Sequence, residues 1–462
     1  MKKTPPSQSK PLTGGALVLA IATSAYGQSF IGPGTGQPAP APKPAAPSAQ
    51  PASAAEPGPV TKFFNNALPD AIAKGKFSLN ARLRYEYVEQ DGVAAITEPS
   101  HAPTLRTRFG YTSAPLHGFQ GMLEGENITS LGPSDNYNAA GSNGQGNKPV
   151  VADPPTTELN QAWLSYSYTN LFMIKGGRQR IALDNHRFVG DVGWRQNLQT
   201  FDSVALQSKP VSDVSLFYSY LWDVRRPFGD VTGLPPANRD FESDSHLFNA
   251  SYNGWKYGRF VGYSYLLDLQ NDAGFANSSA SYGGYFAGSA PVTEKWSLAY
   301  RAEFAWQTDY GDSPLDYETE YYNLEMGANI KPFAFGAGYE SLGSDENNGA
   351  AGGLASFRTP LATLHAFNGW ADVFLTTPAN GLRDLYGYAQ VTLPWQVPLR
   401  FVYHKYDSDR GSADYGQELD VMATKSIGKN WTAMLKYSFY EGQDAPYAFD
   451  VHKFWAQVEF NF

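Results

Sequence analysis

From Phe77 onward, apolar and polar positions alternate with a period of two, segment after segment, to the end of the chain. Phe77, Leu79, Ala81, Leu83, Tyr85 and Tyr87 share one face, and Ser78, Asn80, Arg82, Arg84 and Glu86 share the other. Leu105, Thr107, Phe109 and Tyr111 stand against Arg106 and Arg108 in the same way. The faces Val214 to Trp222, Leu298 to Trp306 and Trp431 to Phe439 repeat it, as does the last stretch, where Phe454, Ala456, Val458, Phe460 and Phe462 oppose Lys453, Gln457, Glu459 and Asn461. Alternation of this kind predicts strands with one face against an apolar medium and the other in water. Aromatic residues gather near the ends of each set, where the headgroups flanking a membrane would hold them.

The connectors alternate too. Short turns are expected at 114–117, 169–170, 210–212, 253–257, 291–294, 331–332, 395–397 and 428–430. Longer polar connectors are expected at 91–102, 131–156, 184–199, 228–242, 271–276, 311–317, 345–381, 408–414 and 443–449. Eight turns and nine loops join eighteen strands, provided that the strand-like stretch Phe357 to Leu375 belongs to a loop. An even count puts both ends of the wall on the periplasmic side, so we read that stretch as loop. Residues 77–462 then supply about 21 residues per strand and connector, against the roughly 10 that a tilted crossing needs. The predicted fold is an all-β transmembrane antiparallel barrel, and a barrel of this size has a wide lumen unless loops, here 184–199 and 345–381, fold inward.

Composition sharpens this. The chain is 15% aromatic and 17% charged, and its longest apolar run falls far short of the 18 or so residues a membrane helix requires. Residues 1–27 read as a signal peptide, with a basic start, the short apolar core Ala16 to Ala22, and Ala25-Tyr26-Gly27 before the cut. Residues 28–60 are rich in Pro and Ala and form an extended periplasmic linker, residues 61–76 are a short lead-in, and 77–462 are the barrel. A plug domain does not fit ahead of the first strand, since a domain needs at least about 50 residues. There is no cysteine, hence no disulfide or thiolate chemistry. A formal charge of -9 argues against nucleic acid as a partner.

Candidate chemistry lies on the inner face. Arg82 with Arg84, Arg106 with Arg108, and Arg178 with Arg180 are each spaced by two, so each pair shares a face. These pairs line one side of the lumen with guanidinium groups that favour anions, carboxylates above all, through forked hydrogen bonds, and Arg301 and Arg400 face inward further along among charges of both signs. The competing reading is a neutralised lattice in which Glu86, Glu124 and Glu126 pair with these arginines. Other inward charges are mixed in sign: Glu303, Glu418, Asp420, Lys436, Lys453 and Glu459. Asp184, His186 and Asp191 fall within eight residues of one another and evoke acid–base or metal chemistry. No serine elbow, His-Glu-x-x-His or phosphate loop accompanies them, and the nearby Arg187 and Arg195 oppose a cation. We therefore expect neither catalysis nor a cofactor or metal.

Gly177-Arg178-Gln179-Arg180-Ile181-Ala182-Leu183-Asp184-Asn185-His186-Arg187-Phe188-Val189-Gly190-Asp191-Val192-Gly193-Trp194-Arg195-Gln196-Asn197, followed by Gln199-Thr200-Phe201-Asp202, resembles the alginate-export family of outer-membrane channels. Phe367-Asn368-Gly369-Trp370-Ala371-Asp372, Leu375-Thr376-Thr377-Pro378, Asn380-Gly381-Leu382 and Asp384-Leu385-Tyr386 extend the likeness over roughly residues 75–462. The resemblance implies an eighteen-stranded barrel whose arginine-rich lumen passes a polyuronate such as alginate. By motif, Arg178, Arg180, Asp184, Arg187, Asp191 and Arg195 belong to its constriction. Expected partners are outer-membrane lipid and lipopolysaccharide, anionic oligosaccharides, polysaccharides or small carboxylates, and peptidoglycan or a periplasmic protein through the linker. Passive passage of anions is the expected function; a general diffusion porin and an outer-membrane hydrolase are the alternatives.

Overall fold

A strand with one greasy and one polar edge is stable only in a wall whose two sides meet different surroundings. The computed structural model describes residues 59–234, 236–271, 274–345 and 355–462, and its alternating segments form one closed sheet of 18 antiparallel strands. The strands are β1 (Lys76–Asp91), β2 (Ser100–Thr112), β3 (Phe119–Ser130), β4 (Thr156–Tyr168), β5 (Phe172–Gln179) and β6 (Thr200–Val211). They continue as β7 (Val214–Arg225), β8 (Asp240–Trp255), β9 (Gly258–Leu267), β10 (Ser279–Pro291), β11 (Trp296–Asp309) and β12 (Glu318–Ile330). The last six are β13 (Phe333–Leu342), β14 (Leu382–Leu393), β15 (Val397–Asp407), β16 (Asp414–Ile427), β17 (Trp431–Gly442) and β18 (Asp450–Asn461).

The final strand closes the wall, pairing with β17 on one side and β1 on the other, so that Arg82 lies opposite Glu459 and Arg84 opposite Gln457. Neighbours in sequence are neighbours in space throughout, as short antiparallel connections require. One end carries tight turns, such as 331–332 between β12 and β13; the other carries the long loops, 131–155, 180–199 and 343–381 among them. The stretch 357–375 is loop, and Ser344–Asp345 and Ala355–Ser356 form a two-stranded sheet apart from the wall.

Large apolar side chains are exposed on the outer face, including Phe77, Leu83, Phe109, Leu164, Leu324, Leu385 and Leu435. Rings pair across strands near both rims: Phe77 with Tyr111 at 5.0 Å and Trp431 with Phe460 at 4.9 Å at the turn end, Phe439 with His452 at 4.4 Å at the loop end. From Phe77 to Tyr87, ten residues at about 3.3 Å tilted by some 40° span roughly 25 Å, the height of a membrane's apolar band.

Ahead of β1 the chain is helical from Pro59 to Ala73 and rests on the turn end, where Ala114 N–H donates to Ala71 at 2.9 Å and the Tyr111 hydroxyl donates to Ile72. The expected lead-in is thus a helix. The signal peptide lies outside the described residues, as does the linker but for Pro59 and Val60, which begin this helix. Inside the wall, buried apolar side chains such as Val88, Phe188, Leu221, Tyr265 and Leu361 concentrate toward the loop end, because there the loops turn inward and exclude water.

Candidate functional site

A loop that enters a barrel carries backbone N–H and C=O groups away from water, and each needs a partner. For 180–199 the partners are the arginines of β1 and β2. Arg82 donates to the carbonyls of Gly193, Trp194 and Arg195, each at 3.2 Å, and to Glu459 at 3.0 Å. Arg106 joins Glu459 at 3.2 Å to Asn80 at 3.0 Å. Arg108 donates to the Gln196 carbonyl at 3.0 Å and pairs with Glu126. Arg84 is held by Gln457 at 2.7 Å and lies 4.2 Å from the centre of the Trp194 ring. These four face inward as their alternation predicts, but the loop lies over them. Arg82, Arg84 and Arg106 are at most 1% exposed, so they seat the loop.

The loop 343–381 meets the opposite solution. Its N–H groups turn to carboxylates: Trp370 donates to Asp420 at 3.2 Å and Ala371 to Glu418 at 2.7 Å. The Asn368 amide donates to Glu340 at 2.7 Å and Asp384 at 3.1 Å. The mixed charge of the wall is therefore sorted in space, bases under loop carbonyls and acids under loop amides. Between Asn368 and Trp370, Gly369 has φ 86°, and a Cβ there would fall on the Glu418 carboxylate and the Tyr406 hydroxyl. Gly369→Ala is expected to unseat 367–372 at a cost of roughly 1–3 kcal/mol. Single-channel conductance should rise; an unchanged conductance would refute this seating.

The two loops also hold each other. Gly190 N–H donates to Leu361 at 2.8 Å and Thr363 N–H to His186 at 3.0 Å. Trp194 stacks on His365 at 4.2 Å, and Lys436 of β17 lies 3.8 Å from the Trp370 ring and 4.1 Å from Trp194. Arg195 bridges Glu86 at 3.2 Å and Asp372 at 2.9 Å. Arg187 donates to Glu340 at 2.7 Å and Thr359 at 3.0 Å. Asp184, His186, Val192, Asn368 and Asp372 all have positive φ, a strain of about 1 kcal/mol or more each that only such over-determined packing sustains.

Two ion pairs of this loop keep a base in contact with water. Arg180, directly after β5, pairs with Asp191, and Asp184 pairs with Arg259 of β9. In both pairs the base is the more exposed partner: the Arg180 side chain is 45% exposed against 6% for Asp191, and Arg259 21% against 10% for Asp184. His186 Nδ1 lies 3.9 Å from Asp191. Burial, with Asp191 opposing it, holds that imidazole below its ordinary value, so at neutral pH it adds no charge. Asp184 bonds to the wall instead, and the acid–imidazole–acid cluster does not converge.

Two further expected residues lie on the wall: Arg301, beside the Tyr285 ring, bonds to Glu303 at 2.6 Å, and Arg400 lies 4.9 Å from the Tyr388 ring. Arg178 needs a correction. Its register with Ala162 and Asp202 places it on the face of Leu164, Ile174 and Val204, which are exposed on the outside. It pairs there with Asp202 at 2.7 Å, so it does not line the lumen. Gly176 and Gly177 beside it offer no apolar residue to reveal the parity. Sequence reasoning also missed Arg259, whose inward neighbours Val261, Tyr263 and Tyr265 are themselves buried, inverting the expected polarity of the inner face. Asp372 was within reach, since it ends the Phe367–Asp372 motif.

A closed wall, apolar outside and polar within, narrowed by loops of its own, defines an outer-membrane β-barrel channel. The chain belongs to the alginate-export family, whose model, described as alginate export, matches residues 76–434. Solved structures of similar fold include OccK9 (OpdG) of Pseudomonas aeruginosa, at 16% identity and TM-score 0.64, covering 85% of this chain and 100% of that one. OccAB2 of Acinetobacter baumannii matches at 12% and 0.64, covering 85% and 99%. OpdK of Pseudomonas aeruginosa, solved with vanillate, matches at 12% and 0.62, covering 84% and 98%. A search of curated proteins gives no match.

Proposed function

We propose that this channel passes anionic solutes, carboxylates foremost, by passive diffusion past the loop 180–199. The observation that carries the reading is the asymmetry of its two ion pairs: Arg180 and Arg259 meet the lumen while Asp191 and Asp184 are withdrawn. A solute at the constriction thus encounters guanidinium forks, which match carboxylates in geometry and charge. The family's description supports a uronate chain such as alginate, or its oligomers, as the cargo. Vanillate, found with OpdK, is also a carboxylate. In the same reading, residues 1–27 are removed on export, the outer aromatic face meets lipid and lipopolysaccharide, and residues 28–60 reach peptidoglycan or a periplasmic partner.

The test is the reversal potential in a potassium chloride gradient across a planar bilayer. Wild type should favour chloride, and Arg180→Glu should lower the chloride preference several-fold. A wild-type channel without preference would leave a general diffusion pore as the reading, and one that favours potassium would refute anion passage outright. Interruption of the current by uronate oligomers, but not by neutral oligosaccharides of equal length, would extend the reading to a polymer.

A further inference from the structure

Asp184 stands in the loop 180–199 with φ 56° and reaches across to the wall. The Tyr285 hydroxyl donates to its Oδ1 at 2.7 Å, the Asn249 amide donates to its Oδ2 at 2.7 Å, and Arg259 forms an ion pair with it. A phenol, an amide and a guanidinium from the adjacent strands β10, β8 and β9 converge on one carboxylate. A second guanidinium, Arg301, lies 3.8 Å from the centre of the Tyr285 ring. The wall itself does not depend on Asp184: β9 and β10 pair without a break from Arg259 to Leu267, and β8 pairs with β9 from His246 to Tyr252.

We infer that Asn249, Arg259 and Tyr285 form a carboxylate-binding subsite of the lumen, and that Asp184 is its built-in occupant, displaced by the carboxylate of a passing solute. This rests on the anion reading above. An incoming carboxylate offers the same two oxygens to the same three donors, so the exchange conserves hydrogen bonds and charge pairing. Asp184 is released to water and its left-handed backbone is free to relax. A neutral solute has nothing to exchange and leaves the loop in place. The exposed Arg180 guanidinium lies on the same loop and supplies an approach of favourable charge.

An internal competitor weakens apparent affinity by the factor with which it occupies the site, and a tethered carboxylate acts at a high effective concentration. In the full-length protein in planar bilayers, with glucuronate as probe and glucose as neutral control, Asp184→Asn and Asp184→Ala should therefore lower the half-blocking concentration of glucuronate by about tenfold or more. Glucose passage should not change. Adding Tyr285→Phe or Arg259→Gln to Asp184→Asn should abolish the gain. An anion-selective channel whose glucuronate block is unaltered in both Asp184 variants overturns the displacement and leaves the anion reading standing. So does an equal gain for glucose, which would mean a loosened loop. A wild type without anion preference overturns the anion reading and the subsite with it.

Discussion

Arg195→Ala should cost the barrel about 3–5 kcal/mol and open the constriction, because it removes the cation shared by three buried carboxylates. The guanidinium bonds to both oxygens of Glu86 at 3.2 Å and to Asp372 at 2.9 Å, with Asp153 of the loop 131–155 at 3.8 Å. Glu86 and Asp153 are 0% and 1% exposed, so water cannot replace what is lost. Removing one partner of a buried ion pair is much worse than never having had the pair. Because Arg195 links the wall to both inward loops, the damage should fall on the loops before the strands, whose ladder is independent of it. The expected signature is a larger, noisier single-channel conductance, with a lower temperature for the loss of the folded barrel in electrophoresis. Arg195→Lys should recover little, since one ammonium lacks the fork that reaches Glu86 and Asp372 together. A variant with wild-type conductance and melting would show that the loops are seated without this hub.

The wall was legible because a barrel strand writes its two environments directly into sequence as alternation. Phe454 to Phe462 illustrates this: the register with β1 and β17 follows from which residues are greasy, and the seam forms where the polar faces of both strands agree. The two inward loops were legible through length and motif. Their seating was not. Nothing in the spacing of Arg82, Arg84, Arg106 and Arg108 distinguishes a guanidinium that meets solute from one that meets a loop carbonyl, since both lie on the inner face. The difference arises from 180–199, whose contacts are more than eighty residues away in sequence. The expected competing lattice with Glu86 and Glu126 describes part of the outcome, with Glu126 taking Arg108 and Glu86 taking Arg195. Arg178 shows the converse weakness, because after two glycines a strand's parity is set by its neighbours. Arg259 was hidden by inward tyrosines, which are apolar in a pattern count but supply hydroxyls to the lumen.

Two of the carboxylates that seat these loops keep their charge into acid. Burial alone would disfavour the Asp372 carboxylate, but the His365 imidazole, the Lys453 ammonium at 2.7 Å and Arg195 outweigh it and hold Asp372 well below the usual carboxylate range. Asp191 is likewise held low against its burial by Arg180, with His186 and the Gly193 N–H assisting. A carboxylate with a depressed folded value lends stability that is fully present above its unfolded value, near 4, and is lost as pH falls through the folded one. His365 would be the natural switch between pH 5 and 8. Burial, with Asp372 opposing it and Lys436 adding to it, drives that imidazole well below its ordinary value, so it is already neutral there. Nδ1–H then donates to Asp372 at 2.6 Å, and Nε2 accepts from Lys436 at 2.7 Å. Conductance should therefore be flat from pH 8 to 5 and step upward only well below pH 4, when Asp372 and Asp191 take up protons and the loops lose their anchors. Asp372→Asn should show the opened state already at neutral pH, since it removes the charge that Arg195 and Lys453 share. Single-channel recordings across this range decide the matter: a conductance that climbs steadily between pH 7 and 5 would place the switch on another group and refute the latch at Asp372 and Asp191.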